Sequence, residues 1–382
     1  MYNETINFIR ECFNEPKEFI PLHEPRFWGN EKKYINEAID STFVSSVGAF
    51  VDKFEVEIAK ITGAKYAVAT VNGTAALHIA LLLAGVKPNE EVITQSLTFV
   101  ATANAIAYAG ASCVFVDVDK STLGLSAEHL EKFLKKNVVL KDGKAFNKTT
   151  SKFISACLPM HTFGFMSEIE EIVSMCSEYN INVVEDAAES LGSYKGDKHS
   201  GTFGLIGTLS LNGNKTITSG GGGAILTNDK DLAVKAKHIT TTAKQPHRWD
   251  YEHHELAYNY RMPNLNAALA CAQLEMLPEF LVKKRKLANL YSDYFKNAEV
   301  TFQMETPGTT ANYWLNTLIL KDYKQRQEFL TCTNNAGVMT RPIWKLMHKL
   351  PMYKSCFHDD LSNSIWLENR VVNIPSSVIK SL

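Results

Sequence analysis

Apolar and polar residues follow two periods along this chain, and the switches between them outline its architecture. Residues 31–42 carry a helical pattern, and a second one at 51–62 leads to a short strand at 67–70. A helix at 74–84 precedes a strand at 91–94, and a helix at 101–108 precedes the β-branched and aromatic run 113–116. Further strand candidates lie at 153–158, 182–185, 208–211 and 224–227. Strands interleaved with helices in this rhythm predict an α/β domain with a mainly parallel sheet.

The flanks read differently. Residues 1–30, with Pro16, Pro21 and Pro25, read as an extended N-terminal arm. From Asn264 a long helix begins, with Leu265, Leu269, Ala272 and Leu277 at roughly helical spacing. Beyond it a smaller α/β unit holds a strand near 314–320 and a helix near 323–336. The expected division is an arm at 1–30, a large domain at 31–258, and the long helix with a small domain at 259–382. Residues 237–263 are polar and aromatic with weak periodicity, the character of a functional or intersubunit loop.

Composition narrows the class. A length of 382 residues exceeds what one core comfortably supports, in agreement with one large and one smaller domain. A net charge of −1 gives no electrostatic reason to expect nucleic acid or an anionic membrane as partner. The seven cysteines (Cys12, Cys113, Cys157, Cys176, Cys271, Cys332 and Cys356) are scattered and form no CxxC pair. Free thiols in a reducing compartment are expected, without a disulfide framework or metal site. The first residues lack the features of a signal peptide, and the longest apolar run, 75–86, is too short to span a bilayer. A soluble cytoplasmic protein is expected.

The chemistry concentrates in four places. Val71-Asn72-Gly73-Thr74-Ala75 follows a strand and opens a helix, where free N–H groups and a positive dipole end suit a phosphate. The same stretch also reads as an ordinary capped helix start, and it is neither a GxGxxG fingerprint nor a P-loop. Asp186 ends the apolar strand Val183-Val184-Glu185-Asp186, at the strand end where α/β sheets bind ligands. A carboxylate there can hold a cofactor's ring nitrogen protonated, or simply cap the next segment. Phe99 follows the strand at 91–94 and can lie on a flat ring or in the core, and Ser210 can donate to a phosphate. Lys215 stands where a β-rich segment meets the run Gly220-Gly221-Gly222-Gly223. A lysine so placed can form a Schiff base with a carbonyl cofactor, and with an upstream acid it supplies the two groups pyridoxal phosphate chemistry needs most.

These segments resemble the nucleotide-sugar aminotransferases of the DegT/DnrJ/StrS type over nearly the whole chain. The resemblance rests on Asn72-Gly73-Thr74-Ala75-Ala76-Leu77, Thr98-Phe99-Val100-Ala101-Thr102, His161-Thr162-Phe163-Gly164, Glu185-Asp186-Ala187-Ala188-Glu189-Ser190, the Lys215 loop and Tyr258-Asn259-Tyr260-Arg261. It implies a fold-type-I pyridoxal phosphate enzyme: a large domain with a mainly parallel mixed sheet between helices, and a smaller C-terminal α/β domain. By that resemblance Lys215 is the Schiff-base lysine, Asp186 the ring-nitrogen partner and Phe99 the stacking residue. Gly73, Thr74 and Ser210 would bind the phosphate. Asn259 would reach the cofactor of a neighbouring subunit, which implies a homodimer with shared sites. Glu189 stands where Gln or His is commoner in that family. An ionised Glu there would repel the cofactor's phenolate oxygen, so it is protonated, faces a cation or the amino donor, or sits in a different geometry.

Phe43-Val44-Ser45-Ser46-Val47-Gly48 and Asn312-Tyr313-Trp314-Leu315-Asn316 resemble the LegC subgroup. That points to amination at C4 of a UDP-linked 4-keto-6-deoxy-N-acetylhexosamine, on routes to bacillosamine or legionaminic acid, with L-glutamate as donor. GDP- and dTDP-linked ketosugars are the alternatives, and a non-catalytic pyridoxal phosphate-binding regulator is the reading from another class. Related sugar dehydratases carry histidine in place of the lysine, and Lys215 argues against that activity. His247, Arg248 and Arg261 are candidates for pyrophosphate contacts, and each also reads as solvated surface charge.

Overall fold

The computed structural model describes residues 2–380. Among the described residues a ten-stranded sheet forms the centre. Its main path runs through Tyr66–Thr70, Gly223–Thr227, Ile206–Ser210, Asn182–Asp186, Lys152–Leu158, Glu91–Gln95, Ser112–Val116 and Phe357–His358. From Ile206–Ser210 to Phe357–His358 the pairing is parallel, while Gly223–Thr227 runs antiparallel to both of its neighbours. The carboxyl ends Thr70, Gln95, Leu158, Asp186 and Ser210 therefore reach one edge of the sheet.

The apolar strand runs are explained by burial on both faces. Successive residues enter opposite cores: Val92 and Val184 join one, Ile93 and Val183 the other. Helices Gly73–Leu83, Val100–Tyr108 and Lys230–Thr240 cover the first face through Leu77, Ile106 and Ile239. Helices Ala127–Asn137 and Ile169–Glu178 cover part of the second through Leu130, Phe133 and Ile172. Phe54, on helix Ala49–Thr62, and Ala267 and Leu274, on the long helix, pack beside Leu209 and Leu226 to cover the rest.

Helix Asn264–Phe295 ties the two cores together. Ala267, Cys271 and Leu274 belong to the core of the large sheet, whereas Leu287, Tyr291 and Phe295 belong to that of a second sheet. Length and composition alone would let this helix cross a membrane, but its apolar positions are divided between these two protein cores. The second sheet is antiparallel, in the order Thr301–Phe302, Asn316–Ile319, Val371–Ile374 and Arg341–Pro342.

Residues 2–13, read from sequence as part of an extended arm, form a helix, Tyr2–Phe13. Its Thr5, Ile6 and Ile9 are buried, the two isoleucines beside Tyr291 and Phe329. The prolines that suggested an arm begin only at Pro16, so they break the helix after it has formed.

Candidate active site

At the carboxyl edge of the sheet a cavity of about 300 Å³ opens between the strand ends and two tryptophans. One wall is the start of helix Gly73–Leu83. Asn72 caps it, its side chain accepting from the Ala75 N–H at 2.8 Å. The N–H groups of the first turn have no acceptor within the helix and face the cavity end. A Cβ on Gly73 would lie 2.8 Å from Ser210 Cβ, so glycine is what allows this turn to approach the neighbouring strand end. Gly223, paired with both Thr70 and Ser210, meets a similar demand, since a Cβ there would lie 2.7 Å from the Asn72 carbonyl. The polar rim of Asn72, Gly73, Thr74 and Ser210 follows from these two close approaches.

Lys215 is presented by a pinched loop. The Leu211 N–H donates to Gly222 O at 2.8 Å, and the Ser219 N–H donates to Leu211 O at 3.0 Å, which closes the segment between them. Within it the Lys215 N–H donates to Asn212 O at 3.0 Å. The side chain enters the cavity, where Nζ lies 3.2 Å from Glu189 Oε1 and 4.0 Å from the Trp314 ring centroid.

Two acids stand on the floor. Asp186 Oδ2 accepts from Thr102 Oγ1 at 2.8 Å, and Oδ1 accepts from the Ala188 N–H at 3.2 Å. Burial raises its pKa above the usual carboxylate value, while those two donors and the charge of Lys215 oppose the shift. Glu189 Oε2 accepts from the Phe163 N–H at 2.9 Å, and Phe163 adopts φ of 57° to present that donor. Burial pushes the Glu189 carboxyl up to about 7, against the pull of Lys215 and the Phe163 N–H.

The remaining wall comes from the second sheet's side of the molecule. The Trp314 indole N–H donates to Asn214 O at 2.7 Å, which fastens the Lys215 loop from outside. Asn312 secures Trp314 in turn. Its Oδ1 accepts from the Trp314 N–H at 2.7 Å, and its Nδ2 donates to Glu189 O and Leu191 O, both at 2.9 Å. Phe99 is 47% exposed at the cavity, with Trp344 edge-on at 6.1 Å between ring centroids.

Gly73, Thr74, Phe99, Asp186, Glu189, Ser210 and Lys215 thus all line one cavity. Asn259 does not. It lies exposed on the 241–263 segment and accepts from Arg261 Nε at 2.9 Å. His247, which faces Asp250, and Arg248, over Trp249, also lie away from the cavity. Thr102, Phe163, Asn312 and Trp314 enter the sequence reading only within motifs, and Trp344 does not enter it. Thr102, Phe163, Asn312 and Trp314 are marked by contact with the acids and the lysine, Trp344 by its place beside Phe99 and Phe163, and no spacing along the chain carries either signal.

This donor set fits pyridoxal phosphate. A helix start with room beside Gly73 suits the phosphate, a buried acid suits the ring nitrogen, and an amine and an exposed aromatic flank the space between. The sequence profile of the DegT/DnrJ/EryC1/StrS aminotransferase family matches residues 27–379. The chain belongs to that family. It is accordingly a pyridoxal phosphate-dependent nucleotide-sugar aminotransferase. The chain is 37% identical over 362 residues to GDP-perosamine synthase of Escherichia coli O157:H7, covering 94% of this chain and 93% of that one. Among solved structures it is similar to TlmJ of Streptoalloteichus hindustanus, an aminotransferase, with a TM-score of 0.85, 24% identity, and coverage of 94% and 93%. It also matches the PLP form of Spr1654 from Streptococcus pneumoniae, with a TM-score of 0.84, 19% identity, and coverage of 95% and 94%. These likenesses establish the fold-type-I aminotransferase fold. The LegC subgroup suggested by residues 43–48 and 312–316 finds no support here, since the relatives matched along nearly the full length include a GDP-perosamine synthase.

Proposed function

We propose that this aminotransferase moves an amino group from L-glutamate to C4 of a GDP-linked 4-keto-6-deoxyhexose. The observation that carries the choice of nucleotide is the 37% identity, over nearly the full length of both chains, to a protein named GDP-perosamine synthase. It outweighs the UDP-linked substrate that two short LegC-like segments suggested.

Pyridoxal phosphate, when bound, supplies the carbonyl that accepts the amine and the ring that withdraws electrons from the donor's α-carbon. The protein's part follows from the cavity. The first turn of helix Gly73–Leu83 and Ser210 would hold the phosphate, and Phe99 would pack on the ring. Asp186, fixed by Thr102 and the Ala188 N–H, would keep the ring nitrogen protonated. Lys215 Nζ would hold the cofactor through its carbonyl carbon and, as a free amine, would move the donor's α-proton. The Glu189 carboxyl, pushed up to about 7 by burial, would in its protonated form be able to donate a hydrogen bond to the cofactor. In the transfer to the ketosugar, Lys215 Nζ would move the proton in the opposite direction.

Asn259 belongs to this reading through a partner. It is exposed and outside its own cavity, in keeping with a homodimer in which it completes the neighbouring site. The test is a panel of GDP-, UDP- and dTDP-linked 4-ketosugars incubated with enzyme and L-glutamate, with products weighed by mass spectrometry. The aminosugar is expected with the GDP-linked substrate. Efficient amination of a UDP- or dTDP-linked ketosugar in preference to it would overturn the choice of nucleotide.

A further inference from the structure

Trp344 lines the cavity but touches none of the groups assigned to the cofactor except the edge of Phe99. Its position is fixed from both sides. On one side Arg341–Pro342 pairs with Val371–Ile374, and the Ile343 N–H donates to Val371 O at 3.3 Å. On the other the Met347 N–H donates to Ser96 O at 2.9 Å, just past the strand end that leads to Phe99. Phe163 backs the indole at 4.9 Å between ring centroids. The segment is a short bridge from the second sheet to the rim of the cavity, and its tryptophan is held where it crosses.

The two cavity tryptophans differ in one respect. The indole N–H of Trp314 is used internally, on Asn214 O. Among the described residues no protein group accepts from the indole N–H of Trp344, and that atom is not sealed from solvent. The cavity thus has a polar rim, from Asn72 to Ser210, and an aromatic rim to which Trp344 contributes an indole without an acceptor among the described residues. A hexose linked to a nucleotide presents matching chemistry. Its C–H groups form an apolar face, most apolar where C6 is a methyl, beside hydroxyls that accept hydrogen bonds.

We infer that Trp344 is the specificity-determining contact for the hexose, packing against its C5–C6 edge and donating its indole N–H to a sugar oxygen. The inference rests on the nucleotide-sugar reading of the site and names the part of the substrate that this residue reads. Because Trp344 carries none of the roles assigned to Lys215, Asp186 and the phosphate cradle, its removal should separate the two halves of the reaction.

The test compares wild type, Trp344→Phe and Trp344→Ala holoenzymes in each half-reaction. Donor transfer is followed as loss of the cofactor's visible-edge absorbance with L-glutamate, and acceptor transfer as its return with the GDP-linked ketosugar. In Trp344→Ala, kcat/KM for the ketosugar is expected to fall at least about 10-fold more than kcat/KM for glutamate, mostly through KM. Preference for the 6-deoxy over the 6-hydroxy ketosugar should shrink by about 10-fold or more, with Trp344→Phe in between. Equal losses in both half-reactions, or an unchanged 6-deoxy preference, overturn the inference while leaving the nucleotide-sugar reading intact. A wild type that loses its absorbance with glutamate but regains it with none of the nucleotide ketosugars overturns both.

Discussion

Glu189 Oε1 lies 3.2 Å from Lys215 Nζ, an ion pair set inside the cavity with the carboxylate almost fully buried. Most exposed pairs of this kind contribute little because water screens them, but here burial dominates and raises the acid's pKa from 4.5 to about 7. The charge state of this acid thus changes close to neutral pH, next to the amine that does the chemistry.

A stability difference follows for the cofactor-free protein. Between the unfolded value of 4.5 and the folded value of about 7, the folded chain keeps a proton that the unfolded chain has released. The group's contribution to stability is therefore fully present below the lower value and is lost as pH rises through the upper one. Glu189→Gln removes that titration. Calorimetry should show the wild type losing stability relative to Glu189→Gln from about pH 4.5 to about pH 7, by on the order of 3 kcal/mol at most. Parallel curves would mean that Glu189 does not titrate in this range.

Asp186 receives a hydrogen bond on each carboxylate oxygen, from Thr102 and from Ala188. Asparagine preserves the shape but can accept on one side only, and it carries no charge to hold a ring nitrogen protonated. Asp186→Asn should still bind cofactor and lose about 100-fold or more in kcat. Turnover within a few-fold of wild type would remove Asp186 from its assigned role.

Gly73 and Ser210 test the phosphate cradle together. An alanine Cβ at 73 meets Ser210 Cβ at 2.8 Å, so Gly73→Ala should lower Tm and weaken cofactor binding by about 10-fold. Adding Ser210→Gly removes the obstructing carbon. Thermal melts should recover, whereas cofactor affinity measured by absorbance titration should not, because the hydroxyl is gone as well. Recovery of both would show that Ser210 serves packing alone.

The sequence made the parallel sheet legible because its strands are buried on both faces, which leaves continuous apolar runs such as 113–116 broken only by helices. It also pointed to Lys215, Asp186, Glu189 and the Gly73 turn, since each is a chemically distinctive residue at a strand end or a glycine-rich bend. Trp314 and Trp344 were harder to read. An indole carries no titratable group, and these two reach the cavity from the second sheet, with Trp314 bonding to a residue 100 positions away. Helix Tyr2–Phe13 was missed because nearby prolines dominated a short pattern whose apolar face, Ile6 and Ile9, is completed only by packing against Tyr291. The nucleotide is the least legible part, since no motif or spacing along the chain specifies a base.

The claim that the reaction runs through Lys215 is tested most directly by single-turnover absorbance of wild type and Lys215→Ala, both loaded with pyridoxal phosphate and mixed with L-glutamate and the GDP-linked ketosugar. Wild type should lose its visible-edge band with glutamate, regain it with the ketosugar and release an aminosugar. Lys215→Ala should form product at least about 1,000-fold more slowly, since among the described residues no other amine lines the cavity. Product formation by Lys215→Ala at a rate near that of wild type would contradict the account.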